Sequence, residues 1–324
     1  MANPVPAAAG ASRASSSSLR ISKSQVRLLN HLTAKELDPE FDSSEIAYSA
    51  RVWAQVSLPY REPRDVPYWE RRNGNVTLMV RPALLNDPET KTRREAYPYG
   101  IFPRHALTWM ATEAVRTNSP ELELGASMSA FMRKLGLTRG GKNAALMTEH
   151  MRRLFGAQLS VEGLAMGETG HGEVTEYWQI ASRTQLWFPD RDEPENPGLW
   201  TSTVTLSPQF FQSIVDAPIP VDSDIMKMLG KSPLKLDQYL WLTYRMYYLT
   251  SPTRIKWADL NAQFGSQYAR PRAFKDRFIQ NLKELQVVYE GLHIEVTDTF
   301  LILRPSRTSV PSLSAYKGRR ILRD

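Results

Sequence analysis

Cysteine is absent from this chain of 324 residues, histidine occurs five times, and no apolar run is long enough to span a bilayer. The first absence rules out a disulfide framework. His31, His105, His150, His171 and His293 are too scattered for any standard zinc spacing, so no metal site is expected. The lack of long apolar runs excludes a membrane-spanning helix. No Ser-His-Asp or paired-carboxylate arrangement can be nominated from spacing, which leaves no catalytic residue and no cofactor to propose. The sequence therefore reads as a binding protein and not an enzyme.

What is present in excess is positive charge. Lys and Arg number 41 against 34 Asp and Glu, a formal +7, and such an excess suits a polyanionic partner, nucleic acid ahead of a membrane surface. The length allows two domains, each with its own core. Composition divides the chain into a disordered basic arm (1–40), a first domain with strands at its start (41–200), a second domain (201–305) and a disordered basic tail (306–324). The arm carries Arg13, Arg20, Lys23, Arg27 and Lys35 with no acid among them. It could imitate an organelle transit peptide, although a basic arm with one short helix near 25–32 is the plainer reading. An acidic, Pro-rich loop, Asp190 to Gly198, leads into a strand and a helix that starts near Pro208.

The stretch from Leu234 to Leu303 orders the rest. It reads as helix, short helix, turn, longer basic helix and two strands joined by a tight turn, the order of a winged helix-turn-helix. The same landmarks occur about 130 residues earlier. Trp109 precedes Pro120, and Trp241 precedes Pro252, by the same 11 positions, and both prolines follow serine. Each proline is followed by a short helix ending in a bulky residue plus glycine (Leu135-Gly136, Phe264-Gly265) and then by a basic amphipathic helix. An offset this large is far above the roughly 20–50 residues of solenoid repeats, so a duplicated domain is expected. The fold expected is α+β, with two tandem winged-helix domains and, in the first, a long Gly-rich hairpin after Gly156 as the wing.

A helix fits the major groove of B-DNA, which nominates the third helix of each copy. In the second, Phe274, Phe278, Leu282 and Leu285 form an apolar stripe, with Arg272, Asp276, Gln280 and Lys283 opposite. Gln267, Arg270, Arg272 and Lys275 stand at its start, where recognition helices meet base edges. In the first, Arg139, Lys142, Asn143, Arg152 and Arg153 are the matching candidates, with phosphate clamping the less demanding role. For each residue singly, a solvated surface charge is the competing reading. Gly136 to Asn143 fits the spacing of a phosphate loop, but Asn143 replaces the Ser or Thr that would hold magnesium, and a helix precedes it where a strand is required. Tyr244, Tyr247 and Tyr248 could serve as nucleophiles, yet their helical spacing beside Trp241 points to core packing. His150, beside its helix's stripe, reads as a packed imidazole.

Several phrases, YPYG, EAVRT, ELELGASMSAFMRKLGL and LDQYLWLTYR, resemble the plasmid replication initiator RepA family of broad-host-range theta-replicating bacterial plasmids. The resemblance runs over roughly Tyr97 to Leu303. It implies a cytoplasmic bacterial protein that binds double-stranded DNA at directly repeated origin sites (iterons), aids opening of a neighbouring AT-rich region and recruits the host initiator and replicative helicase. It also implies that the second winged helix reads the major groove, while the first contacts backbone and mediates dimerisation, which leaves room for a homodimer. A winged-helix repressor without initiation activity is the alternative, and an origin-nicking tyrosine enzyme is a third reading, weakened by the lack of a His-hydrophobe-His metal pair.

Overall fold

The computed structural model describes residues 46–87, 90–125, 127–137, 141–167, 170–186, 202–229, 232–265, 268–289 and 291–310. The basic arm, the acidic loop, Arg139, Gln267 and most of the basic tail lie outside the described residues. The architecture is α+β. It opens with β1 (Ile46–Ser49), the short helix α1 (Arg51–Gln55), the hairpin β2 (Trp69–Asn73) and β3 (Val76–Arg81), and the hairpin β4 (Ala83–Asn86) and β5 (Arg93–Ala96).

Then comes α2 (Ile101–Thr117), whose Leu107, Met110, Ala111 and Ala114 are all buried, as their helical spacing predicts. It ends where Asn118 turns left-handed ahead of Ser119-Pro120. A strand not foreseen in the sequence follows, β6 (Glu121–Gly125). Next, α3 (Met128–Lys134) is capped by the Ser127 hydroxyl, which accepts from Ala130 N at 3.1 Å. It closes with Gly136 at φ +67°, the amides of Gly136 and Leu137 donating to Arg133 and Met132 carbonyls, the pattern that glycine alone enters without strain. After α4 (Gly141–Gly156) come β7 (Gln158–Gly167), β8 (Gly170–Trp178), β9 (Ala181–Gln185), β10 (Ser202–Leu206), α5 (Pro208–Val215), β11 (Ile219–Asp222) and α6 (Ser223–Leu229). The last block is α7 (Pro233–Tyr248), β12 (Thr253–Lys256), α8 (Trp257–Phe264), α9 (Pro271–Val288), β13 (Ile294–Val296) and β14 (Phe300–Leu303).

The order helix, strand, helix, helix, strand, strand thus occurs twice, from α2 to β8 and from α7 to β14. The strands combine differently. In the later block β12, β14 and β13 form one sheet, whereas in the earlier block β6 joins β10 and β9. There β7 and β8 extend the β2–β3 hairpin into a four-stranded sheet with β8 at its edge. Five residues of β7, Gln158 to Glu162, pair with β3, and the rest of the hairpin runs on past it.

The N-terminal segment sews the two blocks together. β1 pairs antiparallel with β11, and the Gln263 amide of α8 donates to Gln55 O at 3.0 Å. Arg71, on β2 and only 2% exposed, donates to Ser57, Tyr60 and the carbonyl of Gln263 at 3.0–3.1 Å. Burial beside it pushes the Tyr60 phenol up to about 12. Arg104 of α2 meets Asp237 of α7 through two parallel bonds of 2.7 and 2.8 Å, both side chains buried. The same guanidinium caps the carbonyls of Leu58 and Gly100. Removing one member of such a pair strands a buried charge, at a cost of roughly 3–5 kcal/mol. The apolar core is correspondingly continuous, from Trp109 and Phe131 in the earlier block to Trp241 and Phe278 in the later.

Candidate nucleic-acid interface

The rotation of α9 about its axis is fixed by what it buries. Phe274, Phe278, Leu282 and Leu285 are each at most 1% exposed. Phe278 sits in an aromatic cluster, with ring centroids 5.4 Å from Phe264, 6.0 Å from Trp257 and 6.3 Å from Trp241. A polar lock adds to it. Asn281 donates to Gln238 of α7 at 2.7 Å, and Gln238 donates to the Phe278 carbonyl at 3.2 Å, all within the core. The opposite face must therefore point outward, and Arg272, Asp276, Gln280 and Lys283 are all exposed there.

At the start of α9, Pro271 occupies the first helical position, where its fixed φ and missing N–H cost nothing. Arg270, the N-cap residue, and Arg272 are exposed. Lys275 lies between helix and sheet. Its ammonium stands 5.1 Å from the Trp257 ring centroid and donates to the Asp298 carbonyl at 2.8 Å, which holds the β13–β14 turn beside the first turns of α9. Arg277, not singled out in the sequence, is exposed and donates to Gln280 at 3.1 Å. Its signal was available, since it is one turn beyond Ala273 and off the apolar stripe. The structure thus brings Arg270, Arg272 and Lys275 to one end of one helix.

The matching residues of α4 are not gathered in this way. Met147, Met151 and Leu154, at i, i+4 and i+7 on one face, are fully buried, and Arg152 is exposed. Asn143 is half-buried on the first turns; Lys142 belongs to α4, with its side chain outside the description. Arg153 departs from the expectation of a phosphate clamp. It is 7% exposed, donates to Glu149 at 3.1 Å, forms an ion pair with Glu62 and lies 5.3 Å from the Tyr99 ring centroid. Burial raises the Glu149 carboxyl, but hydrogen bonds and charge from Arg94 and Arg153 outweigh this and hold it below the usual range. His150 is the packed imidazole its position suggested, stacked on Phe102 at 5.0 Å and edge-on to Tyr99 at 4.8 Å. Burial, assisted by the Arg153 charge, pushes it down to about 4, so it is neutral at physiological pH.

One further sequence reading is settled by position. The tyrosines of α7 do not all pack in the core: Tyr244 is half-buried, whereas Tyr247 and Tyr248 are 65% and 60% exposed. The stripe of α7 is carried instead by Leu234, Tyr239, Trp241, Leu242 and Met246, and the last turn rotates the tyrosine pair past its edge. Three of the eight positions of the phosphate-loop spacing, 138–140, lie outside the described residues. Among the described residues no group of three or more His, Cys, Asp or Glu side chains is placed to hold a metal, and no helix is long and apolar enough to cross a membrane.

The chain matches the family model described as plasmid encoded RepA protein over residues 97–259, half of its length, from before α2 into α8. The crystal structure of selenomethionine derivatives of domain 2 and domain 3 of RctB is 12% identical with a TM-score of 0.49, over 80% of this chain and 97% of that one. A crystal structure of RctB domains 2-3 is 12% identical with a TM-score of 0.46, over 78% of this chain and 96% of that one. No curated protein matches the chain.

Proposed function

The chain belongs to the plasmid-encoded RepA family of replication initiators, and from that premise we propose that it starts plasmid replication by binding repeated sites in the origin through α9. The observation that carries this reading is the exposed Arg270–Arg272 pair at the start of a helix whose opposite face is locked into an aromatic core. A helix presented in this way can enter the major groove with its first turn against base edges, where arginine bridges the O6 and N7 acceptors of guanine. The block α7 to β14 is read as a winged helix, with the β13–β14 turn as a wing tethered by Lys275, and α2 to β8 as its counterpart, whose hairpin β7–β8 takes the wing's place. In the counterpart, Arg152 and Asn143 suit backbone phosphates more than bases.

The protein acts by binding and not by catalysis, and recruitment of the host initiator and replicative helicase completes the role. The test is binding of the full chain to its own origin repeats and to scrambled duplex of equal length at about 150 mM salt, where sequence-independent attraction is weak. An excess for the repeats on the order of a thousandfold is expected. Equal affinities would overturn the proposal. Maintenance of an origin plasmid supplied with the protein in trans separates initiation from simple repression.

A further inference from the structure

One buried side chain of the N-terminal segment reaches the helix that precedes α9. Arg71 lies on β2, in the four-stranded sheet that β7 and β8 complete, and β2 packs against α8. Its hydrogen bonds to the Ser57 and Tyr60 hydroxyls and to the Gln263 carbonyl all leave from a single nitrogen, Nη1. The guanidinium carbon stands 4.6 Å from the Tyr60 ring centroid and 4.9 Å from that of Trp69, so two rings close over the charge.

Gln263 is the penultimate residue of α8, and its carbonyl is among those at a helix end that find no partner within the helix. A cation there also meets the negative end of the helix dipole. The Gln263 side chain is held as well. It donates to Gln55 O at 3.0 Å, an acceptor shared with the side chain of Asn73, the last residue of β2, at 2.8 Å. Backbone and side chain of one residue are thus fixed by β2 and α1, just ahead of the turn that leads to Arg270 and Arg272. Burying a guanidinium is costly, and an apolar side chain of similar length would fill the space without that cost. What the guanidinium supplies is direction: three acceptors fix Nη1, and Nη1 fixes the end of α8. The aromatic cluster sets the rotation of α9 about its axis, and the end of α8 sets where that axis begins.

We propose that Arg71 is a positioning residue for DNA reading, through which the β2–β3–β7–β8 sheet holds the end of α8 and so aims Arg270 and Arg272. This rests on the reading of α9 as the helix that meets the origin repeats. The experiment titrates full-length wild type, R71M and R71K with the origin repeats and with scrambled duplex at about 150 mM salt. Urea denaturation of each fixes the fraction folded. R71M is expected to lose about tenfold in its preference for the repeats, with affinity for scrambled duplex within about twofold of wild type, because a buried side chain touches no phosphate. R71K should recover most of the preference, since an ammonium carries three donors for the same three acceptors. An unchanged preference in folded R71M would overturn the proposal, and so would equal losses on both duplexes. If R71M does not fold, amide exchange of wild type decides. The Gly265 amide, which donates to Asn261 O at 2.7 Å, is expected to open together with the amides of β2, and opening well before them would overturn the positioning role. Equal binding of both duplexes by wild type would instead remove the initiator reading. That result is seen before any variant is made, and the exchange measurement still judges the Arg71 link.

Discussion

The two basic helices α4 and α9 carry the same pattern and put their arginines to opposite use. Each buries an apolar stripe, Met147, Met151 and Leu154 in one and Phe274, Phe278, Leu282 and Leu285 in the other. On α9 the candidate arginines at the start of the helix, Arg270 and Arg272, stay in solvent. On α4 the cation at the last turn is drawn inward, because Glu62 arrives from a segment 91 positions earlier and Glu149 waits one turn back. A helical wheel places Arg153 one position from exposed Arg152, and nothing in that wheel reveals an acid supplied by a distant strand connection. The lesson is that amphipathic spacing fixes which face is buried, while the fate of a charge at the boundary of that face depends on tertiary partners.

The largest expected effect separates the two helices directly. Arg153→Ala should cost about 3 kcal/mol of stability, the low end for breaking a buried pair, since Glu62 and Glu149 remain partly solvated. Duplex affinity of the folded protein should hold. Chemical denaturation and duplex titration of the same variant decide the matter, and wild-type stability combined with lost affinity would put Arg153 back among the DNA contacts.

The histidine beside it gives the second test. Burial depresses its folded pKa to about 4, from the roughly 6.5 of a solvated imidazole. Below about pH 6.5 the unfolded chain therefore takes up a proton that the folded chain refuses. Stability is complete above that pH and is lost as pH falls toward 4, by up to about 3 kcal/mol. Glu149 adds its own acid loss only below the ordinary carboxylate range of about 4.3, so of these two neighbours His150 governs the upper part of the window. His150→Phe should flatten the stability profile between pH 6.5 and 4.5. A profile that keeps its slope would mean the imidazole is hydrated. No such dependence is expected of α9, whose face carries no histidine.

On α9 the order of effects reverses. Arg272→Ala should leave stability within about 0.5 kcal/mol, as for most exposed positions, and reduce discrimination at one base position by about 1–3 kcal/mol. Equal weakening on every sequence would instead assign Arg272 to a phosphate and bring it closer to the role proposed for Arg152.

Much of this fold was legible in advance. The stripes of α2, α4 and α9, the stop at Gly136 and the strand leading to Pro208 follow from spacing and from single residues with one conformational use. The duplicated order of elements was legible from Trp109, Pro120 and their later counterparts. The strands β6 and β12 were missed although Glu121 to Leu124 alternates, with Leu122 and Leu124 buried and the acids out. A stretch that short between two helices is overshadowed by the proline before it. The sheet partners of β7 and β8 and the Arg104–Asp237 and Arg71–Gln263 links were beyond reach, because pairings over such separations leave no local pattern. The exposed Tyr247–Tyr248 pair was read as core for a related reason: i, i+3 and i+4 spacing identifies one face, and only the packed structure shows where that face runs out.

The smallest expected effect concerns Lys275, which shares its helix end with Arg272 but not its surroundings. Its ammonium is committed to the Asp298 carbonyl and the Trp257 ring, an arrangement worth about 1 kcal/mol net. Lys275→Met keeps the stem against Trp257 and removes both interactions. The variant should lose about that much stability and should bind the repeats somewhat more weakly, because the β13–β14 turn is no longer held beside α9. The dependence of log affinity on log salt should stay as in wild type, since a charge already occupied within the protein releases no counterion from DNA. A slope reduced by about 0.9 would show that the ammonium leaves Asp298 for a phosphate when DNA arrives. Lys275 would then belong with Arg270 and Arg272 as a direct contact, and the β13–β14 turn would have to be held in the complex by the DNA itself.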